Sequence, residues 1–454
     1  MNTFKLLLFA CALSATAYGQ RPGRVYLDSL LQTTARNYPL IKAKRLQSQS
    51  LQQAVQLQKN GVIPMLTASY QADYATYNNI TGMIYPQYII PISGPPSKTN
   101  VSSAVPGSAA ALSLLWDPFT FGQRQTAIDL AQSRAEGGKA EENLTVFRQQ
   151  LAVINAWLDY SLDLSLIRVF QQNIDREAYH LKQAQSLASS GLRPGTDSST
   201  FHAELIRARI QMLAFEQRRD STLSVLKELA GGQLPPGLPA DSSIFGHLPI
   251  GMARQSAAEH PEISLQNTLV KTDELTLSAS KKSLLPKLSF WGTTYARGSG
   301  VAADGSVNSS DGWQFQRYNY GIGLQLSVPI LEAFRQKPLF KQQRLAVDAD
   351  REILNQTELR LQTQVEISNS ALEKAIAAAK LSPEELHAAR YAYDAMLSRY
   401  QAGLTNYDDA MQSLLLLYRA EASVKMSYWA AWKALLGKAA YEGSLDVFLN
   451  PYGK

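Results

Sequence analysis

The spacing of apolar residues along the chain switches from helical to alternating and back, and does so twice in the same order. Arg24 to Asn60 has helical composition, broken early at Tyr38-Pro39; Gly61 and Pro64 end it. From Met65 the period becomes two. Leu66, Ala68, Tyr70, Ala72 and Tyr74 share one face, and Thr67, Ser69, Gln71 and Asp73 share the other, which predicts a half-buried strand over about 65–77. Asn78 to Gly107 reads as loop, rich in proline (Pro86, Pro91, Pro95, Pro96, Pro106). Ala110, Leu112, Leu114 and Trp116 then mark a second strand over about 108–118.

Gln123 to about Ser190 contains no proline, and only Gly137-Gly138 interrupts its helical composition. Leu144, Phe147, Leu151, Ile154 and Leu158 follow the 3-4 spacing of a coiled-coil seam. A helix of about 65 residues would be about 100 Å long, so it is expected to be a coiled-coil strut. After Gly191-Leu192-Arg193-Pro194-Gly195 a partner helix is predicted from about Ser198 to Ala230.

The second half repeats the plan. Gly251 to Ser283 is helical, a strand covers about 286–298, and the clearest strand covers about 317–330. In that last strand Tyr318, Tyr320, Ile322, Leu324, Leu326 and Val328 face one way; Asn319, Gly321, Gly323, Gln325 and Ser327 face the other. Phe334 to Gln401 is the second long helix, and Asn406 to about Leu436 is its partner. Tyr407, Ala410, Leu414, Leu417, Val424 and Tyr428 lie near heptad spacing there, and Glu421 interrupts the seam. Ser382-Pro383-Glu384-Glu385 reads as a helix restart, and Gly437 to Lys454 as an irregular tail.

Landmarks confirm the duplication. Tyr38-Pro39 precedes Pro64 by the same 25 residues that separate His260-Pro261 from Pro286. Gly191-Leu192 recurs as Gly403-Leu404, each with an Asp six residues beyond its Gly, Asp197 and Asp409. The period is far longer than the roughly 20–50 residues of solenoid repeats. The expected organisation is a leader (1–19), a first repeat (20–230), a linker (231–250), a second repeat (251–436) and the tail (437–454).

The leader has Lys5, a short apolar run from Leu6 to Ala12, and small residues near Ala15–Gly19, as an export signal does. It contains the only cysteine, Cys11, so the exported chain is expected to hold together without disulfides. No stretch reaches the length of a membrane helix, but barrel strands escape that test. The net charge of +6 is spread along the chain, without the basic-aromatic platform that nucleic acid requires.

Four strands cannot close a barrel, since about eight is the minimum in membranes. Yet these strands have membrane length, one apolar face each, and aromatics near their ends (Tyr74, Tyr77, Trp116, Phe119, Trp291, Tyr295, Tyr318, Tyr320) that suit interfacial girdles. Unpaired edges are not tolerated in lipid, so further copies of the chain would have to complete the barrel. The alternative is a soluble antiparallel sheet covered on one face by its own helices, in a periplasmic coiled-coil scaffold or adaptor.

Across essentially the whole exported chain, this order of elements resembles the TolC-type outer-membrane factors. The resemblance rests on the paired Tyr-Pro and His-Pro openings, the strand starts at Pro64 and Pro286, the strand ends at Pro118 and Pro329, and the turns Ser190-Gly191-Leu192 and Arg399 to Leu404. It implies an α+β membrane protein: a homotrimer with a 12-stranded transmembrane barrel, four strands from each chain, and long coiled-coil hairpins forming a periplasmic tunnel. It implies an exit duct of a tripartite efflux pump or type I secretion system, served by a periplasmic adaptor and an inner-membrane transporter. By position, Asp409 matches a constriction aspartate, Tyr400 a tyrosine of the closing network, and Asp197 its first-half partner. A second acidic position is Gln412 here, a latch arginine is Thr405, and Asp408 adds a nearby charge. The residues at the turns, Gly191, Leu192, Gly403 and Leu404, would dock the adaptor. Tyr320, Ile322, Leu324 and Leu326 would face outer-membrane lipid. A ring of three such aspartates would favour cations and repel anions; the alternative for Asp408 and Asp409 is N-terminal helix capping or dipole compensation.

Catalytic chemistry is not visible. The five histidines are scattered without metal-ligand spacing, and no nucleophile elbow, P-loop or dinucleotide fingerprint occurs. Gly321-Ile322-Gly323 lies in a strand and predicts close packing at a sheet wall. No enzyme activity, cofactor or metal is expected.

Overall fold

The computed structural model describes residues 22–78, 98–191, 195–236, 238, 243–249 and 260–452. The leader with Cys11, Leu192, most of the proline-rich loop and parts of the linker lie outside these residues. In chain order the elements are α1 (Pro22–Asn37), α2 (Pro39–Lys59), β1 (Met65–Ala75), β2 (Val105–Phe119), α3 (Gln123–Ser189), α4 (Gly195–Leu229), α5 (Pro261–Lys282), β3 (Lys287–Ser299), β4 (Arg317–Ser327), α6 (Glu332–Arg335), α7 (Lys337–Gln401), α8 (Tyr407–Glu442) and α9 (Asp446–Tyr452). The described residues fall into two compact units, one within Met1–Ser50, Glu136–Val270 and Ala349–Lys454, the other within Leu51–Ala135 and Lys271–Asp348. Each unit draws on both halves of the duplicated sequence. No helix of the described residues is long and apolar enough to cross a membrane.

The second unit holds one antiparallel sheet in the order β1-β2-β3-β4. Its registers align the apolar positions into rows. Leu66, Leu114, Gly292 and Ile322 form one row across all four strands, and Ala68, Leu112, Thr294 and Tyr320 form the next. That face is uncovered: Tyr320 is 89% and Leu324 69% exposed, and Ile322 and Leu326 are exposed beside them. A soluble sheet would bury such a face under its own helices, so the scaffold alternative loses its support. On the other face Trp291 lies across Gly323 and Gly321. A Cβ at Gly323 would come within 2.8 Å of the Trp291 indole, which explains the two glycines. Trp291 and Tyr295 pair with Gly323 and Asn319, so they belong to the polar face and are removed from the expected girdle. β2 begins earlier than predicted and carries Pro118 inside it; a register shift between Trp116 and Phe119 accommodates the missing N–H. β4 ends at Ser327, leaving Val328 beyond the strand.

The first unit is helical. α3 runs 67 residues without interruption through Gly137-Gly138. Its seam residues Leu144, Phe147, Ile154 and Leu158 are buried as their spacing predicts. Leu27 and Leu30 of α1, Trp157 of α3, Leu226 of α4 and Trp432 of α8 join Ile154 and Leu158 in the largest core among the described residues.

Two sequence expectations are corrected here. The tail is not irregular. α8 continues through Gly437 to Glu442, ends at Gly443 with φ +75°, and is followed by α9. A helix-interior glycine costs about 1 kcal/mol, and burial of Leu436 and Ala439 beside Trp432 outweighs it. Phe448 and Tyr452 close over Trp432 with ring centroids 5.7 and 5.8 Å away, and Trp157 donates a 2.9 Å hydrogen bond to the Tyr452 hydroxyl.

Nor does the helix restart at Pro383; α7 is continuous from Lys337 to Gln401. Proline removes the N–H that would bond the Ala379 carbonyl. The Ser382 hydroxyl donates to that same carbonyl at 3.1 Å and lies 2.8 Å from the Ser427 hydroxyl of α8. Ser382→Ala is therefore expected to destabilise the protein by about 1 kcal/mol, read as a lower thermal midpoint of the helical signal; an unchanged midpoint would mean that the carbonyl does not depend on Ser382.

Candidate functional site

The turn between α7 and α8 is built by a left-handed glycine. Gly403 has φ +77°, and the Leu404 N–H reaches back to the Arg399 carbonyl at 2.9 Å, the six-residue closure of a Schellman motif. Gly191 ends α3 in the same conformation, φ +70°. Leu404 projects into solvent, as do Gly191 and Gly403.

Directly after this turn, Asn406 caps α8: its side-chain oxygen accepts the Asp409 N–H at 2.9 Å. The Asp409 carboxylate in turn accepts the Thr405 hydroxyl at 2.6 Å. Asp408 and Asp409 both sit in the first turn of α8, where the helix dipole favours negative charge. The cap is therefore Asn406, and neither Asp408 nor Asp409; as first-turn charges both complement the dipole, and the Asp409 carboxylate remains exposed. Asp408 and Gln412 are also exposed.

The Tyr400 hydroxyl, at the end of α7, donates to Asp197 in the first turn of α4 at 3.1 Å. Phe201, one turn further along α4, packs edge-on against Tyr407 (4.5 Å) and Tyr400 (6.3 Å). Phe201 thus joins Tyr400, the partner of Asp197, to Tyr407 at the start of α8, two residues before Asp409. Sequence reading missed Phe201, although an apolar residue in the first turns of a partner helix is the expected signal.

Further from the turn, the seam residue Glu421 of α8 is 7% exposed and accepts two hydrogen bonds from Arg176 of α3, at 2.9 and 2.5 Å. Arg390 of α7 adds a 3.5 Å contact. Burial works against the Arg176 charge, but the hydrogen bond and charge of Glu421 outweigh it and raise the Arg176 pKa. His180 of α3 and the Tyr393 hydroxyl of α7 meet at 2.6 Å in the core between these layers. Burial lowers the His180 pKa and pushes that of Tyr393 up to about 12, so both are neutral at pH 7. Among the described residues no group of three His, Cys, Asp or Glu side chains converges as a metal site.

The profile of the outer membrane efflux protein family matches residues 30–232 and 253–434. The pyoverdine export outer membrane protein OpmQ of Pseudomonas aeruginosa is 22% identical over 429 residues, 91% of this chain and 84% of its own. Among solved structures, the outer-membrane channel OprN matches with a TM-score of 0.72 at 12% identity, over 92% of this chain and 90% of its own. The outer membrane protein VceC of Vibrio cholerae matches with a TM-score of 0.72 at 12% identity, over 92% of this chain and 96% of its own. The fold is therefore that of outer-membrane channels, with their four-stranded sheet and long helices. The family match extends over both duplicated halves, and this chain belongs to the outer membrane efflux protein family, whose members are transport channels of the outer membrane.

Proposed function

We propose that three copies of this chain assemble into a passive exit duct, with β1 of one copy pairing with β4 of the next. The observation that carries this reading is the sheet itself, which has two free edges and an uncovered apolar face. Unpaired strand edges are not viable in lipid. A heterologous contact repeated around a closed ring satisfies every edge, and four strands per chain give a 12-stranded barrel. Tyr320, Ile322, Leu324 and Leu326 then face lipid, and Gln325 and Asn319 face water.

The chain supplies no energy source in this reading. An inner-membrane transporter drives export through a periplasmic adaptor that docks on the turns at Gly191-Leu192 and Gly403-Leu404. Leu192 lies outside the described residues; the exposed Leu404 supports the docking role of its counterpart. Asp409 contributes an acidic ring at the mouth, and the bond from Tyr400 to Asp197 ties the two hairpins of one chain together. Thr405 serves as partner of Asp409, in place of an arginine latch.

Asp409→Ala should raise single-channel conductance or weaken cation selectivity, because a ring of carboxylates attracts cations. Thr405→Val keeps the charge and should keep the selectivity. Unchanged selectivity in Asp409→Ala would remove Asp409 from the constriction and leave it as a first-turn charge that complements the helix dipole.

A further inference from the structure

Glu177 of α3 is a buried carboxyl: it is 2% exposed, and its Oε2 has no hydrogen-bond partner among the described residues. It lines a cavity of about 230 Å3 bounded by α3, α4 and α8, together with Glu204, Arg207 and Arg419. Of the nearby arginines, Arg207 bonds Glu204 at 2.7 Å and Arg176 is held by Glu421, while Arg419 lines the cavity without an ion pair to Glu177 within 4 Å. The Tyr407 hydroxyl, at the start of α8, is likewise buried without a partner among the described residues and lies within electrostatic reach of Glu177, Glu204 and Asp408.

We propose that Glu177 is a proton-operated packing switch: protonated, it lets α3, α4 and α8 close around it; ionised, it loosens that packing and the start of α8 with it. The consequence for the mouth rests on the function proposed above, because Tyr407 lies two residues before Asp409. Burial raises the Glu177 pKa first and the like charge of Glu204 raises it further, while Arg176 lowers it; the result is about 7 against an ordinary 4.5. A carboxyl with a raised pKa stays protonated in the packed state while the opened state already ionises. The packing is therefore strongest in acid, weakens as pH climbs from about 4.5, and carries the full penalty above about 7.

Of the other titratable groups facing Glu177, the tyrosines do not change charge in this window, and His180 is neutral at its upper end and beyond. Burial lowers the His180 pKa, leaving it neutral at pH 7 and above, and burial raises those of Tyr393 and Tyr407, keeping both neutral. Arg176, Arg207 and Arg419 remain cationic.

Hydrogen–deuterium exchange on the full chain in detergent, read in peptides spanning 403–418 and corrected for intrinsic amide rates, tests this. A tenfold factor per pKa unit gives a rise in opening of roughly 30-fold between pH 5.5 and 8.5. Glu177→Gln should abolish the rise. Glu204→Gln, which removes the like charge but leaves Glu177 in place, should move the midpoint to lower pH and covers the case in which the first variant does not fold. A wild-type profile flat with pH, or an undiminished rise in Glu177→Gln, would overturn the switch. Single-channel recording at the same two pH values separates the switch from the mouth: exchange that follows Glu177 with unchanged conductance would overturn its link to the mouth while leaving the packing switch standing.

Discussion

Glu421→Ala is expected to destabilise the helical unit by about 3–5 kcal/mol, the cost of breaking a buried ion pair by removing one partner. Glu421 sits where the α8 seam should carry an apolar residue, and it is buried there. Its removal strands the Arg176 guanidinium, which donates from both terminal nitrogens to it and has an Nε without a partner among the described residues. Arg390 cannot compensate, because it is itself a cation and mostly exposed. Replacing the pair together, with Arg176→Met and Glu421→Leu, should cost less than Glu421→Ala alone, since no charge is left buried. Thermal and denaturant unfolding of the three variants in detergent, followed by the helical signal, checks both statements. A loss below about 0.5 kcal/mol for Glu421→Ala would mean that the pair is screened as surface pairs are.

Leu324→Arg should block membrane insertion, whereas Gln325→Arg should insert normally. The two residues are adjacent in β4 and face opposite sides of the sheet. Leu324 stands in the row of Phe290 and Trp116, on the uncovered apolar face. An arginine on the lipid face at the bilayer midplane costs about 2–4 kcal/mol, and much less where the side chain meets water. Membrane fractionation and heat-modifiable mobility of the two variants give the readout. Equal insertion would mean that the alternation in β4 does not separate lipid from lumen.

The strands were legible because alternation is a strong signal when one face is purely apolar and glycines or small polar residues fill the other, as in β4. The long helices were legible from the absence of proline, and the turns from Gly191 and Gly403. Where local rules compete with packing, the sequence reading failed. Gly437 reads as a breaker, but the Trp432 core holds the helix through it. Pro383 reads as a restart, but Ser382 supplies the hydrogen bond that proline takes away. Trp291 looks like a girdle residue by position along β3, and its parity puts it on the polar face across two glycines. Asp197, Tyr400, Thr405 and Asp409 follow from the resemblance and their positions around a glycine turn; the bond of Thr405 to Asp409 is local to the start of α8, whereas that of Tyr400 to Asp197 joins two distant helices beside Phe201 and is a product of tertiary packing. Glu177 and Arg176 carried no sequence signal, since burial of a helix face does not announce which charged residues it encloses.

The most direct measurement is single-channel recording in a planar bilayer on protein extracted from outer membranes, with its mass in detergent determined on the same sample. A trimer with small, cation-selective conductance is the expected result. A monomer recovered from the soluble periplasm, with no conductance, would contradict the barrel built from β1 and β4 edges.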